Sequence, residues 1–92
     1  MIGSFEIYTM ENCPFCTKAK ELLWKNNVYF TEKKLNETFS KHDLANRLGV
    51  DTESRITLPQ IFLDNENIGG YNELKICFDA IRMMKVMKGT DT

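Results

Sequence analysis

The chain has 92 residues, 42% of them hydrophobic, enough for one compact domain with one core and too few for two. Twelve Lys and Arg against thirteen Asp and Glu leave a formal charge of -1, which excludes capture of the whole molecule by nucleic acid or an anionic membrane. Three cysteines, an odd number with two of them in C-x-x-C, do not make the even framework of a secreted disulfide scaffold, so a reducing, cytoplasmic setting is expected. The opening Met1-Ile2-Gly3-Ser4-Phe5-Glu6 lacks the basic stretch and apolar run of a signal peptide, and no apolar segment approaches bilayer length. The protein is expected to stay where it is made.

In chain order, Phe5 to Thr9 alternates as a strand, and Cys13-Pro14-Phe15-Cys16 follows at a strand-to-helix junction. Pro14 suits the first helical position, where its missing N–H costs nothing, which makes Cys13 the N-cap. The helix carries Ala19, Leu22 and Leu23 on one face and stops at Asn26-Asn27. Residues 28–35, with Val28, Tyr29, Phe30 and Thr31, predict a second strand, parallel to the first. Ser40-Lys41-His42-Asp43 has the form of a capping box and opens a short helix through Leu44, Ala45 and Leu48 to Gly49. After a polar loop over 50–56, Gln60-Ile61-Phe62-Leu63 and Ile68 flank the turn residues Asp64-Asn65-Glu66-Asn67 of a hairpin. Gly69-Gly70 breaks the strand. From Asn72 a last helix carries Leu74, Cys77, Phe78 and Ile81 at helical spacing to near Gly89, with Lys85 and Lys88 favourable to its dipole. The order is β-α-β-α-β-β-α in a single domain over 1–92, residues 84–92 forming the helix end and tail, and the first β-α-β unit must cross over right-handed.

The C-x-x-C carries the chemistry. A thiol reacts as thiolate, and at an unperturbed pKa near 8.5 only about 3% is ionised at pH 7. First-turn N–H groups aimed at the Cys13 sulfur favour the anion, and sites of this kind fall to roughly 3.5–7.5. A shift of about two units is worth some 2.7 kcal/mol. The gain is larger in leaving than in attack, because nucleophilicity falls with pKa at a slope of about 0.4–0.5. Cys16, one turn inside the helix, is expected to be more buried, more protonated and hence the resolving thiol. Other readings of the pair remain. A structural disulfide would close so short a loop that little chain entropy is removed. Zinc would need two more ligands, for which His42 and Cys77 are the obvious His/Cys candidates at a spacing that matches no standard knuckle. An iron–sulfur cluster shared between two chains, each offering Cys13, is opposed by the rigid Pro14.

Ile7-Tyr8-Thr9, Cys13-Pro14-Phe15-Cys16, Ala19-Lys20, Thr57-Leu58-Pro59-Gln60-Ile61-Phe62 and Gly69-Gly70-Tyr71-Asn72-Glu73-Leu74 occur in that order, and with them the chain resembles a glutaredoxin from about Phe5 to Ile81. The resemblance implies a thioredoxin fold, a four-stranded mixed sheet flanked by three helices. It also implies glutathione-dependent thiol–disulfide exchange with Cys13 as nucleophile and Cys16 as resolving thiol. Glutathione would be a co-substrate, with no bound cofactor and no metal. Pro59 would be a cis-proline opposite the cysteines, and Leu58 would pair its backbone with the cysteinyl part of glutathione. Gly70, Tyr71, Asn72 and Glu73 would meet the γ-glutamyl end, its carboxylate held by N–H groups at the start of the last helix. Phe15 and Thr57 complete the expected glutathione-binding set. Relatives commonly carry Lys where this chain has Met10, Tyr where it has Phe15, and Asp where it has Asn72-Glu73. Lys41, Arg47 and Arg55 are the cations available to replace the lysine. The implied partners are glutathione and disulfide or glutathionylated proteins, ribonucleotide reductase among them because the loop over 49–56 resembles that of virus-encoded members, with the protein itself a monomer. Three alternatives share the fold: a redoxin fed by a flavoprotein reductase, an iron–sulfur carrier, and an interaction protein whose cysteine pair is idle.

The remaining residues have plainer readings. Cys77 is expected as a buried small hydrophobe, Trp24 as core or core margin, His42 as surface, and Met83, Met84 and Met87 as a core-edge stripe.

Overall fold

The computed structural model describes the backbone of residues 3–90 and the side chains up to Met84. The elements are β1 (Phe5–Thr9), α1 (Pro14–Lys25), β2 (Phe30–Lys34), α2 (Lys41–Leu48), β3 (Gln60–Leu63), β4 (Glu66–Gly69) and α3 (Tyr71–Thr90). The strands form one mixed sheet in the order β2-β1-β3-β4, with β1 parallel to β2 and antiparallel to β3, and β3 antiparallel to β4. This is the thioredoxin fold, as the resemblance implies.

Alternation along β1 divides the core between the two faces of the sheet. Phe5 and Ile7, with Ile61 opposite Ile7, pack against Ala19 and Leu23 of α1 and Leu74 and Phe78 of α3. Tyr8 and Phe62 point the other way and meet Phe39 and Leu44 under α2. The T-shaped contacts of Tyr8 with Phe39 and Phe62, at 4.8 and 5.5 Å between centroids, fill this smaller cluster.

Local signals act where they stand in the sequence. Cys13 is the N-cap of α1 with Pro14 next, and Asn26 and a left-handed Asn27 (φ 57°) end the helix. Ser40 and Asp43 close the capping box of α2 reciprocally, and Gly49 at φ 73° is its left-handed cap. Three expectations need correction. The second strand begins at Phe30 rather than Val28, because Asn27 turns the chain and leaves Tyr29 97% exposed. The hairpin turn is the two residues Asp64 and Asn65, at φ 50° and 69°, so Glu66 and Asn67 belong to β4. Trp24 is 59% exposed and lies over Phe30 at the surface, with the ring centroids 5.8 Å apart.

Along α3, Cys77 is only partly buried, since Leu74, Phe78 and Ile81 take the face turned to the sheet. Met83 and Met84 are exposed rather than at the core edge, and the side chains of Lys85, Met87 and Lys88 lie outside the described residues. Among the described residues, no helix is long and apolar enough to cross a membrane.

Candidate active site

Cys13 and Cys16 are joined as a disulfide at the N-terminus of α1. The loop leaving β1 reaches Cys13 through Asn12 at φ 56°, and Pro14 starts the helix immediately, which fixes the Cys13 side chain against the first turn. The Cys16 N–H donates to Cys13 Sγ at 3.2 Å. In the reduced protein the same donor, backed by the helix N-terminus, favours the Cys13 thiolate. Burial separates the two sulfurs: Cys13 is partly exposed, whereas Cys16 is 2% exposed, packed beneath it. Cys13 is therefore the more accessible of the two sulfurs.

Three separate segments converge there. Cys13 Sγ lies 3.6 Å from Leu58 O, and the Leu58–Pro59 peptide bond is cis with Pro59 buried. Gly70 comes so close to this loop that an added Cβ would stand 3.3 Å from Pro59 O. The Phe15 and Tyr71 rings, 6.0 Å apart, join the start of α1 to the start of α3, and Lys18 Nζ stands 5.2 Å from the Phe15 centroid. Glu73 accepts from the Gly70 N–H at 2.7 Å, and Asn72 is exposed on the first turn of α3. Thr57 is exposed at the mouth of the loop and its carbonyl accepts from Gln60 Nε2 at 3.0 Å.

The replacement cations fare differently. Lys41 and Arg55 are exposed and make no side-chain hydrogen bond or ion pair among the described residues. Arg47 is committed elsewhere: it forms a fork on Glu6 at 2.7 and 2.9 Å, donates to Tyr8 Oη at 2.9 Å and lies 3.9 Å from the Phe62 centroid. Its hydrogen bond to Glu6 holds that carboxyl at about 2, against the opposing effect of burial. Arg47 thus ties α2 to β1 and is not offered to a ligand.

A polar group beside the cysteines escaped the sequence reading. Glu32 accepts from the Thr9 hydroxyl at 2.7 Å and from Lys20 Nζ at 3.1 Å, and these residues with Lys34 line a cleft of about 590 Å³ that also touches Cys13 and Cys16. Burial opposes the charge on Glu32, but its bonds to Thr9 and Lys20 and the charge of Lys34 outweigh burial and lower its pKa. The signal was present in the alternation of β2, which puts Glu32 and Lys34 on one face opposite Ile7 and Thr9. Among the described residues, no group of three or more His, Cys, Asp or Glu is placed to hold a metal ion, and neither His42 nor Cys77 joins the pair.

A partly exposed sulfur at a helix N-terminus, a buried second sulfur one turn on and a cis-proline loop against the first define a thioredoxin-fold thiol–disulfide oxidoreductase, with Cys13 and Cys16 as its redox-active pair. The glutaredoxin family profile matches residues 5–68, and the chain belongs to that family. It is 36% identical to Glutaredoxin 1 of Rickettsia bellii over 83 residues, covering 90% of this chain and 85% of the relative. It is 39% identical to Glutaredoxin 3 of Escherichia coli K12 over 73 residues, covering 79% of this chain and 83% of the relative. The crystal structure of Glutaredoxin 1 from Francisella tularensis complexed with cacodylate matches with a TM-score of 0.68 at 34% identity, covering 85% of this chain and 94% of that one.

Proposed function

We propose that this protein is a glutathione-dependent oxidoreductase that reduces protein disulfides and glutathione mixed disulfides. The observation that carries the reading is the Leu58 backbone beside Cys13, with Leu58 O 3.6 Å from the sulfur that would hold a glutathionyl group. An extended cysteinyl residue joined to Cys13 can pair there as an added strand. Gly70, Tyr71, Asn72 and Glu73 then receive the γ-glutamyl end at the start of α3, where the first-turn N–H groups of the helix suit a carboxylate. Phe15, Thr57 and Pro59 form the wall, and Lys41 and Arg55 are the cations left for the glycyl carboxylate.

In the proposed cycle the Cys13 thiolate attacks one sulfur of a protein disulfide and expels the other as thiolate. Cys16 then displaces the protein sulfur from Cys13, closing the Cys13–Cys16 disulfide. Two glutathiones restore the dithiol and leave as glutathione disulfide. With a glutathionylated substrate Cys13 attacks the glutathione sulfur, the protein thiol leaves, and a second glutathione frees Cys13. A one-domain cytoplasmic monomer with no bound cofactor suffices for these steps, and ribonucleotide reductase is among the fitting substrates.

The test uses Cys16→Ser with a glutathionylated peptide and excess reduced glutathione. Sustained peptide release through an intermediate one glutathionyl group heavier supports the reading. A reactive dithiol in the unmutated protein with no release by the variant would contradict it and favour a redoxin fed by a flavoprotein reductase.

A further inference from the structure

β2 is an edge strand, and its outer side is only partly closed. The Leu35 N–H turns inward to Thr9 O at 2.9 Å, so alternation along the strand turns the N–H and C=O of Phe30, Glu32 and Lys34 outward. At Lys34 both groups are met: the N–H donates to Thr38 Oγ1 at 2.8 Å, and the C=O accepts from the N–H groups of Glu37 and Thr38 at 3.0 and 2.9 Å. At Phe30 and Glu32 neither group has a hydrogen bond outside the sheet among the described residues. Beside this edge runs a groove between α1 and β2. Thr17 and Lys34 flank it next to the cysteines, Lys20 and Glu32 follow at 3.1 Å, and Trp24 and Phe30 end it with 5.8 Å between ring centroids. A cavity of about 390 Å³ bounded by Trp24, Tyr29 and Phe30 lies at that far end, where Trp24 and Tyr29 are exposed. The groove thus leads from the redox pair, along an open strand edge, to an aromatic site.

We propose that the protein substrate lays the chain beside its reacting cysteine along this groove as a fifth strand on β2, pairing with Phe30 and Glu32 and setting an apolar side chain between Trp24 and Tyr29. The inference rests on the proposed attack of Cys13 on protein disulfides. Open N–H and C=O groups on alternate residues are what an extended backbone completes, whatever its side chains. The charged lining, Glu11 and Glu32 against Lys20 and Lys34, is balanced, so the aromatic end sets the preference. Continuity with the cysteines favours the substrate over a second copy of this chain, since a segment joined to Cys13 through its sulfur already stands at the mouth of the groove. From Cys13 to Trp24 along α1 is about 16 Å at about 1.5 Å per residue. An extended chain spans that in about five residues at about 3.3 Å each, which places the apolar residue near the fifth position from the substrate cysteine. The opposite flank, toward Leu58 and Gly70, remains for glutathione. Trp24 acts here as a specificity residue.

The test uses peptides with a small disulfide ring and an extended flank, reduced by the protein with glutathione. Each pair differs only in Phe or Gln at the fifth flank residue, the flank lying N-terminal to the ring in one pair and C-terminal in the other. The ratio of kcat/KM, Phe over Gln, is expected to be about fivefold in one pair for the unmutated protein and near one after Trp24→Ala. A single N-methyl group moved along the preferred flank should lower kcat/KM at alternate positions only, where an N–H faces β2. A ratio near one in both pairs, a preference that survives Trp24→Ala, or N-methyl losses without alternation overturns the inference while leaving the thiol chemistry standing. A dimer in sedimentation that Trp24→Ala dissolves would give the edge to a second copy and overturn it as well. No turnover of any peptide by the unmutated protein removes the proposed function and this inference together.

Discussion

Arg47 packs against one face of β1 and Cys13 stands beyond the end of that strand, and their surroundings differ in kind. Around Arg47 every strong group is answered: Glu6 takes the guanidinium fork, Tyr8 and Asn65 accept from it, and Phe62 packs beneath it. Around Cys13 the groups are left available: a partly exposed sulfur, the Leu58 carbonyl and the first turn of α3. Both regions are polar and both draw on β1. The satisfied one fixes how α2 sits on the sheet, while the unsatisfied one is where a substrate can supply the missing partners.

Removing the reacting sulfur breaks the open region most completely. Cys13→Ser should lower disulfide-reducing turnover by about a thousandfold or more, with the thermal midpoint little changed. Cys16→Ser should abolish reduction of protein disulfides while glutathionylated peptides still turn over, since in the proposed cycle only the first route needs the second thiol. Parallel assays on the two substrate types check both.

Ile61 is 0% exposed on β3, opposite Ile7 in the core shared with α1 and α3, so Ile61→Ala should cost about 2–5 kcal/mol in urea unfolding. Breaking the closed region costs less. Glu6→Gln should lose about 2 kcal/mol at pH 7, because the charged fork to Arg47 is gone. The pH sign follows from the lowered pKa: the Glu6 contribution is complete above the ordinary carboxylate value of 4.5 and is lost as pH falls toward about 2. Unfolding free energy measured across that interval should decline more steeply in the unmutated protein than in Glu6→Gln. Ser40→Ala, which opens the capping box of α2, should cost about 1 kcal/mol in the same urea unfolding measurement.

How much of this was legible in the sequence depended on how local the signal was. Pro14 after Cys13, Ser40 with Asp43, and Gly49 each act within one turn, and the structure uses them as the sequence suggested. The ordered motifs carried the fold, because cysteine pair, Leu58–Pro59 and Gly69-Gly70 sit where the thioredoxin topology brings strand and helix ends together. What failed was non-local. The fate of Arg47 was set by Glu6, 41 positions away, and no spacing rule links them. Glu32 and Lys20 meet across a strand and a helix, so the cleft beside the cysteines was invisible until both were placed. Trp24 is apolar enough for a core, yet Leu23 already fills the inward position beside it and Trp24 is turned outward. The turn Asp64-Asn65 was overextended because Glu66 and Asn67 are also polar, and backbone φ rather than polarity fixes where a hairpin turns.

The central claim is that exposure and the α1 N-terminus make Cys13 the attacking sulfur and Cys16 the buried partner. The most direct measurement mixes reduced Cys13→Ser and Cys16→Ser, separately, with oxidised glutathione near neutral pH and follows adduct formation by intact mass. The account predicts rapid addition of one glutathionyl group to Cys16→Ser through Cys13, and slow or no addition to Cys13→Ser through Cys16. Equal rates, or faster modification of Cys16, would contradict it.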